Sequence, residues 1–141
     1  MSGFLLDTNV ISELVRPKPD PSVTDWLDST DEDLLFLSVL TLGEIRKGIA
    51  TLNDPTRKMR LERWLGQALV PRFEGRILPV DHFVADRWGQ IAGALALQGS
   101  PLPVIDGLLA ATALHHNLTL ATRNTSNVAP TGVPLFDPWL G

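Results

Sequence analysis

The sequence predicts an α/β fold with a mainly parallel central β-sheet flanked by helices. Three observations carry that reading. Short apolar runs of strand length recur at 3–7, 34–37, 77–80 and 118–122. They alternate with stretches of helical spacing, the pattern that builds parallel sheets. A length of 141 residues, with 44% hydrophobic and 20% charged residues, suits one domain that buries its own core, so 1–141 reads as a single unit.

Each element has a local reason. Gly3-Phe4-Leu5-Leu6-Asp7 reads as a short buried strand ending in a polar turn. Thr8 or Asn9 can cap a helix through Val10 to Val15, which Arg16-Pro17 stops. A second helix fits 21–30, with Pro21 at its start and Val23, Trp26 and Leu27 as its apolar side. The continuous run Leu34-Leu35-Phe36-Leu37 suits a strand covered on both faces. Thr41-Leu42-Gly43-Glu44 matches a capping box at the head of a helix toward Leu52. Residues 55–70 predict a basic amphipathic helix with Met59, Leu61, Trp64, Leu65 and Leu69 toward the core. Ile77 to Val80 is a third strand, followed by helices at 82–98 and 104–116 and a strand at 118–122.

Composition excludes several chemistries. The chain has no cysteine and no tyrosine, so disulfides, thiolate metal sites and Cys nucleophiles are absent. No apolar run reaches membrane-spanning length, and the N-terminus lacks a basic leader, which predicts a cytoplasmic protein with no membrane partner. The net charge is −4, so no global field recruits nucleic acid. Locally the balance reverses: residues 46–76 hold eight basic residues against three acidic ones. That segment is either a solvated helix face or a phosphate-binding surface.

Four oxygen-bearing side chains fall at strand ends or helix starts: Asp7, Glu44, Asp106 and Asn124. In an open parallel sheet, sites form beyond the carboxyl ends of the strands, where these four can converge. Each also has a purely structural reading. Asp7 can cap a helix, Glu44 can complete the capping box, Asp106 can favour a helix N-terminus, and Asn124 can sit in a turn. Asp106 tips the balance, because it interrupts the otherwise apolar stretch Leu102 to Leu114, where an unpaired charge is costly. Converging carboxylates without Cys, and with His only at 82, 115 and 116, suit a hard cation such as Mg²⁺ or Mn²⁺.

Asp7-Thr8-Asn9-Val10-Ile11-Ser12, Thr41-x-x-Glu44-x-x-x-Gly48, Asp106-Gly107-x-x-Ala110-Ala111-Thr112-Ala113 and Ala121-Thr122-Arg123-Asn124 resemble the successive motifs of PIN domains. Within them the chain is similar to the VapC-type toxins of prokaryotic toxin–antitoxin pairs, in particular the FitB-like group. Gly75-Arg76-Ile77-Leu78-Pro79 and Phe136-Asp137-Pro138-Trp139 fit that group too. The resemblance implies the PIN-domain fold and a Mg²⁺-dependent endoribonuclease, with Mn²⁺ as a second possible ion. It implies Asp7 and Asp106 as principal metal ligands and Glu44 completing the cluster directly or through water. Asn124 stands where many members carry a fourth carboxylate. Asn9 and Thr122 would orient a carboxylate or water. Asp81, after the third strand, reads either as an outlying acidic neighbour or as a helix N-cap, and Arg46 and Lys47, next to Glu44, read either as contacts to the RNA backbone or as solvated surface. It further implies a homodimer, a cognate antitoxin that blocks the groove, and operator DNA bound only through that antitoxin. The apolar face of the early helices (Val10, Leu14, Val23, Trp26) reads either as a partner surface or as core.

Other readings fit less well. An aspartyl phosphatase wants a second acid two residues after the first, where this chain has Asn9. No G-x-S-x-G elbow exists for a serine hydrolase. His115-His116 is explained by a helix C-terminus. The alternative that stays open is a catalytically weak PIN-fold binding or regulatory subunit of an antitoxin–DNA complex, because Asn124 brings no charge.

Overall fold

The computed structural model describes residues 2–141. Five short strands form one parallel sheet in the order β3-β2-β1-β4-β5: β1 (Phe4–Leu6), β2 (Leu35–Ser38), β3 (Ile77–Leu78), β4 (Thr119–Ala121) and β5 (Leu135–Phe136). The chain leaves central β1 toward β2 and β3, then returns to β4 and β5 on its other side. The junction of β1 and β4 is therefore the topological switch point, where a parallel sheet opens a crevice at its carboxyl edge.

Helices α1 (Thr8–Glu13), α2 (Pro21–Ser29), α3 (Val39–Ala50) and α4 (Pro55–Arg63) precede α5 (Val70–Arg72). Beyond β3 come α6 (His82–Leu97), α7 (Val104–His115) and α8 (Thr125–Val128). Alternation along β1 sends Leu6 to one layer and Leu5 to the other. Leu6 joins Val10, Ile11, Val23, Leu35, Leu37, Ile45, Leu65 and Phe73, whereas Leu5 packs with Leu109, Ala113, Leu120 and Val133. Val10 and Val23 have no exposed surface, which settles the early helices as core rather than partner surface at those positions. Gly3 is required by this packing, since a Cβ there would lie 2.4 Å from the Leu34 carbonyl oxygen.

Several local expectations are corrected. Asp7, not Thr8 or Asn9, caps α1. The Thr41/Glu44 capping box does not form: β2 runs straight into α3, Ser38 caps it by accepting from Leu40 N–H, and Thr41 is fully buried. That places Glu44 in the second turn, free to face another element. The 55–70 helix forms without a break, although its winding is not α-helical throughout. It passes through a π-helical stretch at Trp64–Leu69, and Met59 is 55% exposed rather than core. Two elements lack a sequence signal of their own, the two-residue β5 and the four-residue α8.

Candidate active site

Asp7 follows β1 directly, and its backbone N–H still bonds Ala121 O of β4 at 2.9 Å. Its carboxylate is held at both oxygens. Oδ1 accepts from Thr8 N–H at 2.7 Å, and Oδ2 accepts from the Thr122 hydroxyl at 2.8 Å. Thr122 is completely buried, and its Oγ1 also accepts from Asn9 Nδ2 (3.3 Å) and from Asn124 N–H (3.1 Å). Asn9 Oδ1 in turn accepts from Arg123 N–H at 3.4 Å. One hydroxyl thus ties together β4, the start of α1 and the turn after β4, and aims Asp7.

Glu44 is brought to the same place by α3. Its Oε1 accepts from the Thr8 hydroxyl at 2.6 Å, and Thr8 Oγ1 lies 3.5 Å from Thr41 Oγ1. Asp106 stands in the first turn of α7, whose approach to α6 depends on Gly107: a Cβ there would lie 2.9 Å from the Trp88 ring. Among the described residues none of the three carboxylates has an ion-pair partner, and Asp106 has no hydrogen-bond partner.

The electrostatics follow from that geometry. Burial pushes the Asp7 carboxyl above its ordinary range. The Thr122 and Thr8 hydrogen bonds oppose the shift, and the charges of Asp106 and Glu44 add to it. Asp106 is also pushed up, by burial first and by Glu44 second. The three groups therefore sense one another as an unneutralised cluster. Among the described residues no three His, Cys, Asp or Glu side chains form a ready-made cage. The donor set still fits a hard divalent cation, since Mg²⁺ is ordinarily held by one or two carboxylates with water completing the shell.

Other sequence-predicted residues fall differently. Asn124 joins the network through its backbone N–H, while its side chain is exposed and makes no cap for α8. Arg46 pairs with Glu62 at 3.5 Å, and Lys47 is exposed; neither lines the crevice. Asp81 caps α6 through Val84 N–H and lies beside His115 and His82. It is near the far end of α7, about 13 Å along the helix from Asp106, so it is no neighbour of the cluster.

A groove of about 430 Å³ runs from the site between α1, α3 and α4. Thr8, Asn9 and Glu44 lie on its wall, with apolar Ile45, Ile49, Leu61 and Trp64 and the arginines Arg16, Arg57 and Arg123. The sequence reading missed Thr8 as the Glu44 anchor and Arg57, Arg123 and Trp139 as groove residues. Arg123 and Trp139 lay inside quoted motifs, but only tertiary structure brings them together.

The switch-point site and its acidic cluster define a PIN domain, and the sequence matches that family over residues 4–127: the chain belongs to the PIN-domain family. Within it the chain groups with VapC-type toxins. It is 44% identical over 136 residues to Toxin FitB of Neisseria gonorrhoeae, covering 96% of this chain and 98% of that one. It is 34% identical to VapC ribonuclease Y4jK of Sinorhizobium fredii, covering 96% and 97%. The solved structure of FitAB bound to an IR36 DNA fragment superposes with a TM-score of 0.91 at 42% identity, over 96% of this chain and 95% of that one.

Proposed function

We propose that this chain is the toxin of a toxin–antitoxin pair, a metal-dependent endoribonuclease that hydrolyses RNA phosphodiesters with activated water. The observation that carries the reading is the Asp7/Glu44/Asp106 cluster, three carboxylates at the switch point that have no ion-pair partner among the described residues. Residues 1–141 act as one PIN domain. Asp7, Asp106 and Glu44 would hold the ion, with Mg²⁺ the better match to all-oxygen donors and Mn²⁺ the second. A bound divalent cation supplies Lewis acidity, lowering the pKa of water and offsetting charge on the phosphoryl group.

The chain's own residues supply placement. Thr122 and Thr8 N–H fix both oxygens of Asp7, and the Thr8 hydroxyl fixes Glu44. Asn9 locks Thr122 in the orientation that donates to Asp7. Asp106, free of hydrogen bonds, keeps all its acceptor capacity for the ion or its water. Attack in line leaves a 5′-phosphate and a 3′-hydroxyl.

FitB is named a toxin, and FitAB is a DNA-bound complex. By extension this chain pairs with a cognate antitoxin, touches operator DNA only through it, and forms a homodimer in a prokaryotic cytoplasm. No helix among the described residues is long and apolar enough to cross a membrane. The apolar groove leading to Glu44 suits the antitoxin as a blocking segment.

The test is cleavage of total RNA by antitoxin-free protein with Mg²⁺, Mn²⁺ or EDTA, beside Asp7→Asn. Metal-dependent cleavage lost on that substitution is expected. Folded protein that cleaves under no metal supports the second reading, a binding subunit of the antitoxin–DNA complex, which the neutral Asn124 favours. Asn124→Asp is then the informative variant.

A further inference from the structure

We propose that Arg123, braced on the Trp139 ring, grips an RNA phosphate beside the carboxylate cluster, with Arg57 taking a second one from α4. This rests on the nuclease reading above and assigns the substrate contacts that Arg46 and Lys47 do not make.

Three unneutralised carboxylates repel a polyanion, and the chain as a whole carries −4, so the RNA needs cations placed locally in the groove. Three arginines line it. Arg16 is consumed by Glu13, at 3.2 Å. Arg57 and Arg123 have no ion-pair partner among the described residues. Elsewhere Arg46 pairs with Glu62, and Arg72 and Arg76 pair with Glu32, while Arg60, Arg63 and Arg87 lack an ion-pair partner among the described residues but do not line the groove.

Arg123 is also positioned. Its backbone N–H is fixed to Asn9 Oδ1, in the network that aims Asp7. Its Cζ lies 5.1 Å over the Trp139 ring. Trp139 is itself anchored, with its N–H on Asp137 Oδ1 at 2.9 Å and its ring against the core. Stacking on a face restrains the guanidinium while leaving its N–H edge free, the edge that forks onto a phosphate. Glu44 shares the groove wall with Arg57 and Arg123, so a strand held at Glu44 can run its neighbouring phosphates past both arginines.

The experiment uses the full chain with Asp106→Asn, so that RNA is held but not cut. Binding of a fluorescein-labelled single-stranded RNA of mixed sequence is followed by anisotropy through a salt titration. Adding Arg123→Ala should weaken binding about tenfold and flatten the salt slope by about 0.7, the share of one phosphate. Arg123→Lys keeps the slope and loses part of the affinity, and Trp139→Phe, which keeps a ring, loses about two- to threefold. In the cleaving enzyme, Arg123→Ala raises KM and leaves kcat nearly unchanged. Unchanged RNA affinity and slope in Arg123→Ala overturn the inference. So does a loss confined to antitoxin binding, which would assign the rim to a protein partner, and so does a parent that shows no salt-dependent RNA binding. Wild-type protein that cleaves under no metal overturns the nuclease reading instead, so the two failures are separable.

Discussion

Glu32, just ahead of β2, and Asp7, just past β1, are carboxylates at opposite edges of one sheet, and the fold treats them in opposite ways. Arg72 forks onto Glu32 at 2.9 and 3.0 Å, and Arg76 adds a contact at 3.2 Å. These arginines, Arg72 first, hold the Glu32 carboxyl below its ordinary range although burial opposes them. Asp7 receives two neutral hydrogen bonds and no cation, sits beside two further carboxylates, and is pushed up. The chain can neutralise a carboxylate where the fold needs one held. At the carboxyl edge no such cation is placed among the described residues, and the carboxylates there stay uncompensated.

The contrast is broken most forcefully at the acidic edge. Asp7→Asn should lower RNA cleavage on the order of 10³-fold, because the interaction it removes is worth several kcal/mol of charge stabilisation. Steady-state cleavage at saturating Mg²⁺ checks it, and a variant with wild-type kcat would remove Asp7 from the mechanism. Thr122→Val comes next. It keeps volume but releases Asp7, Asn9 and the Asn124 N–H together, and loss of such an orienting group costs about 10–100-fold in metal affinity or rate. The metal titration of cleavage distinguishes it from a folding defect.

At the neutralised edge the same kind of substitution acts on stability. Arg76 donates to the carbonyls of Glu32, Leu35 and Arg72, each at 2.6 Å, and lies 4.9 Å over the Phe73 ring. Arg76→Ala removes these three bonds together and should cost about 2 kcal/mol, roughly 6–8 °C in Tm, with kcat at low temperature retained. Thermal melting beside a cleavage assay reads both.

The two edges also differ in how legible they were. Strand runs and helix spacing exposed the parallel sheet, because apolar residues covered on both faces leave unbroken runs such as Leu34–Leu37. The carboxylates were visible as polar residues at strand ends, Asp106 most clearly because it breaks an apolar stretch. For Glu44 it was the structural alternative, the capping box, that failed: Ser38 caps α3 because β2 and α3 abut without a loop. Arg76 as a fold staple, Thr8 as the Glu44 anchor and Arg123 on Trp139 were hidden, since their partners lie 41, 36 and 16 residues away. Met59 points outward because it stands two residues before core-facing Leu61, about 200° around the same helix, so the two cannot share one face.

The smallest effect sharpens the comparison most, because it tests sign rather than size. The folded-state pKa of Asp7 lies above its ordinary 3.8, so between those values the native chain holds a proton that the unfolded chain has released. Ionised Asp7 therefore costs stability above that window and nothing below it. Metal-free Asp7→Asn should melt above wild type at neutral pH, because it removes the buried charge. That gap should close as pH falls toward 3.8. Glu32 runs the other way. Its folded-state pKa lies below the ordinary 4.5, so its ionised form adds stability that is present above 4.5 and lost as pH falls through the lowered value. Glu32→Gln should melt below wild type at neutral pH, by under about 1 kcal/mol because the pair is well exposed, and that gap should start closing only below 4.5. Melting curves of the three proteins in EDTA across acid and neutral pH give both signs in one series. If Asp7→Asn melted at or below wild type at neutral pH, Thr122 and Thr8 N–H would already compensate the Asp7 charge in full. The acidic edge would then be as settled as the basic one, with no energetic cost left for a cation to relieve.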